Sequence, residues 1–470
     1  MPFGVSWATT VPTPSRAFAY ALAAYIAFVV TRAHEVVPFL SAVRPAKISL
    51  LLVLVAVAMN PRQLAWGEIT KSPVTKFMLV TGILAVLSVP GAIWPGGSAK
   101  FIPTVYLQTF LVFLLVAGGF IHRSTLWLGL KVFAFGALGA AVMSFIVPPG
   151  RAGRFGIGTT YDPNDTAAFL VISLPFFFLL ATEGGRLRKI ALASVPIVLA
   201  AIMKTGSRGG IIALAVTVAA LLFYSPPRRR SVYIGLVAIC GLVFSATMTD
   251  ELRDRFSNVF DQSDYNFTDR DGRKAVMLRG IGYMMDNPGL GVGISGFPYA
   301  EGATKRNEGM GVRFTNAHNA YVQIGAELGV GGLVCFLGAI TFCFVGCARV
   351  RKRLLATRSE APDVKREIGV ATAAICGMVG VCVAALFLST AYSPVTYFMF
   401  GLCVAIALGA PIPGVAMRAA PPSPQLVGAP PPRPTASPVA ARQPHRGRGA
   451  VSVGRTRQVG PVRWRGGFTR

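Results

Sequence analysis

The sequence predicts an all-α polytopic membrane protein, and three observations carry that expectation. Of the 470 residues 53% are hydrophobic and only 14% charged, and the mean hydropathy is +0.57, which does not fit water-facing globules. The apolar residues gather into runs of about 20, the length a helix needs to cross a bilayer whose core offers the backbone no water. A charge-rich disordered chain and a soluble nucleic-acid binder are both excluded, although 46 Lys and Arg against 19 Asp and Glu leave a net charge of +27.

Taken in order, the runs predict twelve spans, near residues 14–31, 42–60, 74–94, 102–121, 125–147, 164–182, 189–205, 209–224, 231–249, 319–347, 367–388 and 394–410. The first follows Arg16 without an A-x-A cleavage site, so it reads as a retained span rather than a signal peptide. Basic residues in alternate short loops set the orientation, because Lys and Arg are retained in the cytoplasm. Seventeen fall in one set, among them Arg62, Arg123, Arg186, Arg228 to Arg230 and seven between Arg349 and Arg366. Eight fall in the other: Arg32, Arg44, Lys47, Lys100, Arg151, Arg154, Lys204 and Arg208. Both termini are therefore expected in the cytoplasm. Nine spans occupy 1–249, a loop domain at 250–317 lies outside, and three spans follow in 318–410.

The outer segment carries nine basic and ten acidic residues, enough polar sequence for a small helical cap. The tail, 411–470, has ten Arg and no acidic residue, and its Pro- and Arg-rich runs cannot bury a core, so it is expected to be disordered. Attraction to anionic lipid and a plain solvated linker both remain open for it. All seven cysteines lie in apolar runs, which implies no disulfide framework. Cys343 and Cys347 share a helical face, but no His or further Cys completes a metal tetrad.

Four stretches carry possible chemistry. Asp162-Pro163-Asn164-Asp165 opens a span, with Asp162 as N-cap and proline at the first helical position. Asn164 and Asp165 are further polar groups at that mouth, costly without partners, so sugar hydroxyls or a neighbouring arginine are expected to meet them. Lys204-Thr-Gly-Ser207-Arg208-Gly-Gly is a bend between two apolar runs. Ser207 can cap the following helix, and Arg208 beside helix N-terminal amides makes a site for an anionic oxygen. A snorkelling arginine is the bland alternative.

Beyond these, Val276, Met277, Ile281, Met284 and Met285 recur at helical spacing, giving an outer helix that starts at Arg273 and lies on an apolar surface. Gly291 to Gly296 matches G-x-G-x-x-G, but no strand precedes it, so it reads as a flexible loop and not a dinucleotide site. His318, one of four histidines, lies where the outer segment re-enters the membrane, followed by Asn319, Tyr321, Gln323 and Glu327. Imidazole suits proton transfer near neutrality, whereas a lone interfacial histidine can also be merely polar.

In this order and at these depths, the Asp-Pro-Asn-Asp opening, the Gly-Ser-Arg-Gly bend, Arg273 before Asp286-Asn-Pro288, and His318-Asn319 before Glu-Leu-Gly resemble the bacterial O-antigen ligase and polymerase family. The likeness spans about residues 40–410 and is densest over 158–333. It departs from the family at Met277, where a Trp is usual, and at Ser295 and Gly296 in the glycine turn. The resemblance implies a GT-C-like glycosyltransferase of the bacterial inner membrane, needing neither metal nor other cofactor. It would take a glycan from an undecaprenyl-diphosphate carrier and join it to an acceptor hydroxyl on the periplasmic side, the acceptor being a growing glycan or lipid A-core. Carried over, Arg208 and Arg273 would bind the diphosphate and stabilise its departing charge, and His318 would orient or deprotonate the acceptor. Asp162, Asn164, Asp165, Lys204, Ser207, Asn319 and Tyr321 would line the substrate site, with membrane lipids as the remaining partner. Ligation and polymerisation both stay open, as does protein O-oligosaccharyl transfer. A transporter of an anionic lipid or solute is the alternative of a different class, although the two halves show no inverted repeat.

Overall fold

The structure, a computed structural model, describes residues 14–147, 154–158, 160–225, 272–309, 311 and 314–409, with isolated positions between 230 and 245. The chain divides into two units, Met1–Val415 and Ala416–Arg470. The second, which is most of the expected disordered tail, lies outside the described residues, as do most of the expected span at 231–249 and the outer segment up to residue 271.

Among the described residues the regular elements are helices, with one isolated β-bridge between Ile157 and Tyr161. In chain order the longer helices are α1 (Arg16–Thr31), α2 (Pro45–Met59), α3 (Pro73–Leu87), α4 (Pro95–Gly119), α5 (Arg123–Ile146), α6 (Pro163–Leu180) and α7 (Gly185–Lys204). They continue with α8 (Arg208–Tyr224), α9 (Arg273–Asp286), α10 (Phe297–Asn307), α11 (Ala320–Ala356), α12 (Pro362–Ala385) and α13 (Pro394–Leu408). Proline opens α2, α3, α4, α6, α12 and α13, where its fixed φ suits the first turn and its missing N–H has no partner to lose.

Among the described residues six helical stretches are long and apolar enough to cross a membrane: Phe39–Met59, α4, α5, α6, α11 and α12. A seventh forms if Pro61–Ile69 and α3, bent by 96° at a short break, count as one. The protein is thus a multi-helix membrane protein, but twelve spans are not shown. Helices α1, α8 and α13 have 16, 17 and 15 residues, about 24 Å of rise against a hydrocarbon core of about 30 Å. Helix α7 carries Arg186, Arg188 and Lys189 near its start and Lys204 at its end, too much charge for an apolar window.

Helix α6 is the axis of the bundle, with every residue from Thr166 to Leu180 buried. Phe133 of α5 meets Phe169 and Phe176 of α6 edge-on and stacks on Phe398 of α13 at 4.4 Å. Small residues let backbones approach where lipid supplies no hydrophobic drive; a Cβ at Gly401 of α13 would stand 2.7 Å from the Phe113 carbonyl of α4. Helix α2 is the opposite case, mostly exposed along its apolar length, as expected of a lipid-facing element.

Ion pairs fix which helix ends lie together. Arg366 of α12 pairs with Glu183 after α6 at 2.6 Å, Arg123 of α5 with Glu367 of α12 at 3.4 Å, and Arg351 of α11 donates to the Tyr224 carbonyl closing α8. The starts of α6, α8 and α11 and the end of α12 therefore share the other end of the bundle, and that is where the polar motifs lie.

Candidate functional site

The site is built on the opening of α6. The Asp162 carboxylate accepts the amides of Asn164 (2.6 Å) and Asp165 (2.9 Å), and the Asp165 carboxylate accepts the Asp162 amide at 3.4 Å. That reciprocal box satisfies helix donors that would otherwise face an apolar surround. Arg154 Nη2 donates to Asn164 Oδ1 and its Nε to the Thr205 carbonyl, both at 2.8 Å. The arginine expected to meet Asn164 is therefore Arg154, and it ties the start of α6 to the end of α7.

Ser207 caps α8 through the Gly210 amide (3.1 Å) and is 2% exposed. Arg208 is the first residue of that helix. Gly210 lets α8 close on α6, for a Cβ there would come within 2.6 Å of Ala167 Cβ. Ser207, Gly209, Gly210, Asn164 and Arg273, the first residue of α9, line one crevice of about 10 Å³, room for about one water.

His318 sits two residues ahead of α11 with a left-handed φ of 49°, and its amide donates to Ser389 Oγ at 2.9 Å. Burial, and then the Arg273 guanidinium, push the imidazole pKa below its ordinary 6.5, while Asp162 opposes them. Arg273 and Asp162 thus both act on His318, although 45 and 156 residues separate them from it in sequence. A neutral imidazole at neutral pH can accept a proton.

Other expected site residues are engaged in holding helices. Lys204 donates to the Ser144 carbonyl at 2.8 Å and lies over the Phe145 ring, both on α5. Asn319 caps α11 through the Tyr321 and Val322 amides and donates to the Leu386 carbonyl. The Tyr321 hydroxyl donates to the Cys382 carbonyl of α12 at 3.0 Å.

The glycine turn is not a loose loop. Helix α11 breaks at Gly329 (φ 70°, ψ −170°), and the turn docks on the break. Val292 and Gly293 donate to the Ala326 and Glu327 carbonyls at 2.8 and 3.1 Å, and Val330 donates to the Pro288 carbonyl at 2.9 Å. The buried Glu327 carboxylate accepts the Ser295 amide at 2.9 Å. A break that frees helical carbonyls inside an apolar bundle needs external donors, and the turn supplies them. On α9 the buried face is Val276 and Gly280, whereas Ile281 and Met285 are exposed, contrary to the apolar stripe read from spacing.

A larger cavity, about 840 Å³, also reaches the α6 opening, where Tyr161 and Asp165 line it. Its cations are Arg32, Arg44 and Lys47, residues the charge count singled out but no motif contained. Its Ser389, Thr390 and Ser393 come from the turn between α12 and α13, whose signal in the sequence is the polar interruption Ser389-Thr-Ala-Tyr-Ser393 before Pro394. Among the described residues no group of three His, Cys, Asp or Glu is arranged to hold a metal ion, and the six described cysteines are free.

Among the described residues these features give a helical membrane protein with Arg208, Arg273 and His318 at helix starts near one end of the bundle. Residues 192–337 match the family model described as O-Antigen ligase, and the chain carries a domain of that family over this stretch. It runs from within α7 into α11 and contains Arg208, Arg273 and His318, while the opening of α6 precedes it. No curated protein matches the chain.

Proposed function

We propose that this protein is a membrane glycosyltransferase of the O-antigen ligase and polymerase type, moving a glycan from undecaprenyl diphosphate to an acceptor hydroxyl. His318 takes the acceptor proton, the acceptor oxygen attacks the anomeric carbon, and the bond from that carbon to the diphosphate oxygen breaks. Arg208 and Arg273 receive the departing negative charge, a task that soluble transferases often give to a divalent ion. The observation that carries the reading is that Arg273 lines one crevice with Asn164, Ser207 and Gly210 at the bundle end where Arg208 opens α8, near enough for its charge and that of Asp162 to act on His318. Lys204, Asn319 and Tyr321 we assign to the scaffold, because their polar atoms already bind neighbouring helices.

Magnitude favours a functional origin for these arginines. Charge at bilayer depth costs about 2.5 to 3.5 kcal/mol on insertion scales, and one transition-state donor contributes about 2.7 to 4 kcal/mol. The positive residues in alternate loops support a GT-C-like bundle of about twelve spans in a bacterial inner membrane, with both termini cytoplasmic and the site facing the periplasm.

Purified protein in proteoliposomes, given an undecaprenyl-diphosphate-linked glycan and an acceptor, should transfer the glycan, and His318→Ala should not. Undiminished transfer by that variant would leave His318 a spectator and overturn the mechanism. Envelope glycans from a deletion strain separate the two branches: single repeats on lipid A-core mark a polymerase, and bare core with carrier-linked polymer marks a ligase.

A further inference from the structure

We propose that the 840 Å³ cavity beside α6 is a second anionic subsite, which holds the phosphate of a lipid acceptor through Arg32, Arg44, Lys47 and the Tyr161 hydroxyl. The acceptor role rests on the transfer reading above; the lipid phosphate site does not.

Three independent observations point to a ligand. Arg32 and Arg44 both hold a left-handed backbone, with φ of 51° and 52°, a conformation that L side chains adopt only where the surroundings impose it. They stand at the two ends of the α1–α2 connection, so those breaks turn two guanidinium-bearing residues onto one cavity. The Tyr161 side chain is 6% exposed, and its hydroxyl has the Arg32 guanidinium as a neighbour but no hydrogen bond of good geometry to any protein group. Arg32 Nε is likewise buried without a partner. Buried polar atoms are rarely left so, and an anionic oxygen is an acceptor that both can reach.

The third observation selects a lipid over a free anion. Beyond Lys47 on the same face of α2, Leu50, Leu51 and Leu54 line the cavity with Val105 of α4, and Leu51 is 61% and Leu54 40% exposed on the flank of a span. A headgroup among the cations would leave its chains along this apolar flank. Of the acidic groups nearby, Glu35 is shared between the Thr160 amide (2.9 Å) and hydroxyl (2.6 Å) and Arg32 (3.3 Å), so it offsets part of the charge of Arg32, and Asp165, which also lines the cavity, closes the α6 capping box. The crevice that Arg273 lines takes Asn164 from the α6 opening, whereas this cavity takes Tyr161 and Asp165, so the two share no lining residue.

Binding of fluorescent phosphatidic acid and of phosphatidylcholine with the same chains, measured on the full-length protein in neutral detergent, tests the site. Phosphatidic acid should bind about tenfold more tightly, and Arg44→Gln with Lys47→Gln, both exposed positions, should remove about that factor. Tyr161→Phe, which deletes one oxygen and keeps the ring, should weaken phosphatidic acid about threefold and leave phosphatidylcholine unchanged. Equal binding of the two lipids, or unchanged binding by these variants, overturns the proposal. Displacement of phosphatidic acid by inorganic phosphate at the same concentration assigns the cavity to a free anion and overturns the lipid source. No glycan is present, so failure of the transfer reaction leaves this result standing, and the reverse also holds.

Discussion

Arg154 joins two helix termini by donating to Asn164 Oδ1 at the start of α6 and to the Thr205 carbonyl at the end of α7, each at 2.8 Å. One planar guanidinium makes both bonds, a geometry that the single ammonium of lysine does not reproduce. Hydrogen bonds to charged groups contribute about 1.5 to 3 kcal/mol each. Arg154→Lys should therefore lower the thermal midpoint in detergent and reduce transfer, with most of the loss in the rate and not in donor affinity. A variant with wild-type midpoint and rate would show that the bridge is dispensable.

Arg208→Ala and Arg273→Ala should each reduce glycan transfer by more than about tenfold, consistent with removal of one charge-stabilising donor from the transition state. The amount of protein in the membrane should not change, because both residues stand at helix starts and not inside the packed core. Normal glycan output from both variants would remove them from the mechanism.

The pH profile reports on His318. Burial and Arg273 disfavour its imidazolium, so the base stays competent until the pH falls below 6.5, and the acid limb of transfer should lie under that value. Asp162 acts in the opposite direction. Asp162→Asn keeps a good helix cap but removes the negative charge, and should move the limb to lower pH. The residual activity of Arg273→Gln should show it at higher pH. A limb that stays in place in both variants would mean that another group titrates.

Gly329→Ala should unlock the glycine turn. The backbone there lies in a region open almost only to glycine, costing other residues about 1 to 3 kcal/mol, and the new Cβ would stand 2.4 Å from the Pro288 carbonyl. Protease cleavage in the Asn287 to Phe297 segment should accelerate while the remaining bundle resists. Unaltered protection would show that the turn is held by other contacts, such as Ser98 Oγ on the Ile294 carbonyl at 2.6 Å.

Much of the site was legible because its signals are local. Asp162 with Pro163, and Ser207 three residues before Gly210, are caps that the one-dimensional pattern states outright, and the structure forms both. Less legible were residues whose purpose depends on a distant partner. Nothing around Lys204 shows that its ammonium will find the Ser144 carbonyl, 60 residues back. The glycine turn looked loose because its donors are satisfied by carbonyls that exist only once α11 has broken at Gly329. The count of spans was legible only in part, because hydropathy measures how apolar a run is, while crossing also depends on how many of its residues stay helical.

By itself the sequence determined that this chain belongs in a bilayer, that its caps and breaks fall at particular residues, and which arginines and histidine to examine, because composition, capping and turn chemistry act over a few neighbours. Only the tertiary structure decided that Arg273 and Asp162 act on one imidazole, that Glu327 anchors a turn, and that Arg32, Arg44 and Lys47 share a cavity. Those relationships arise from how helices pack, and packing brings together groups whose separation along the chain carries no trace of their distance in space.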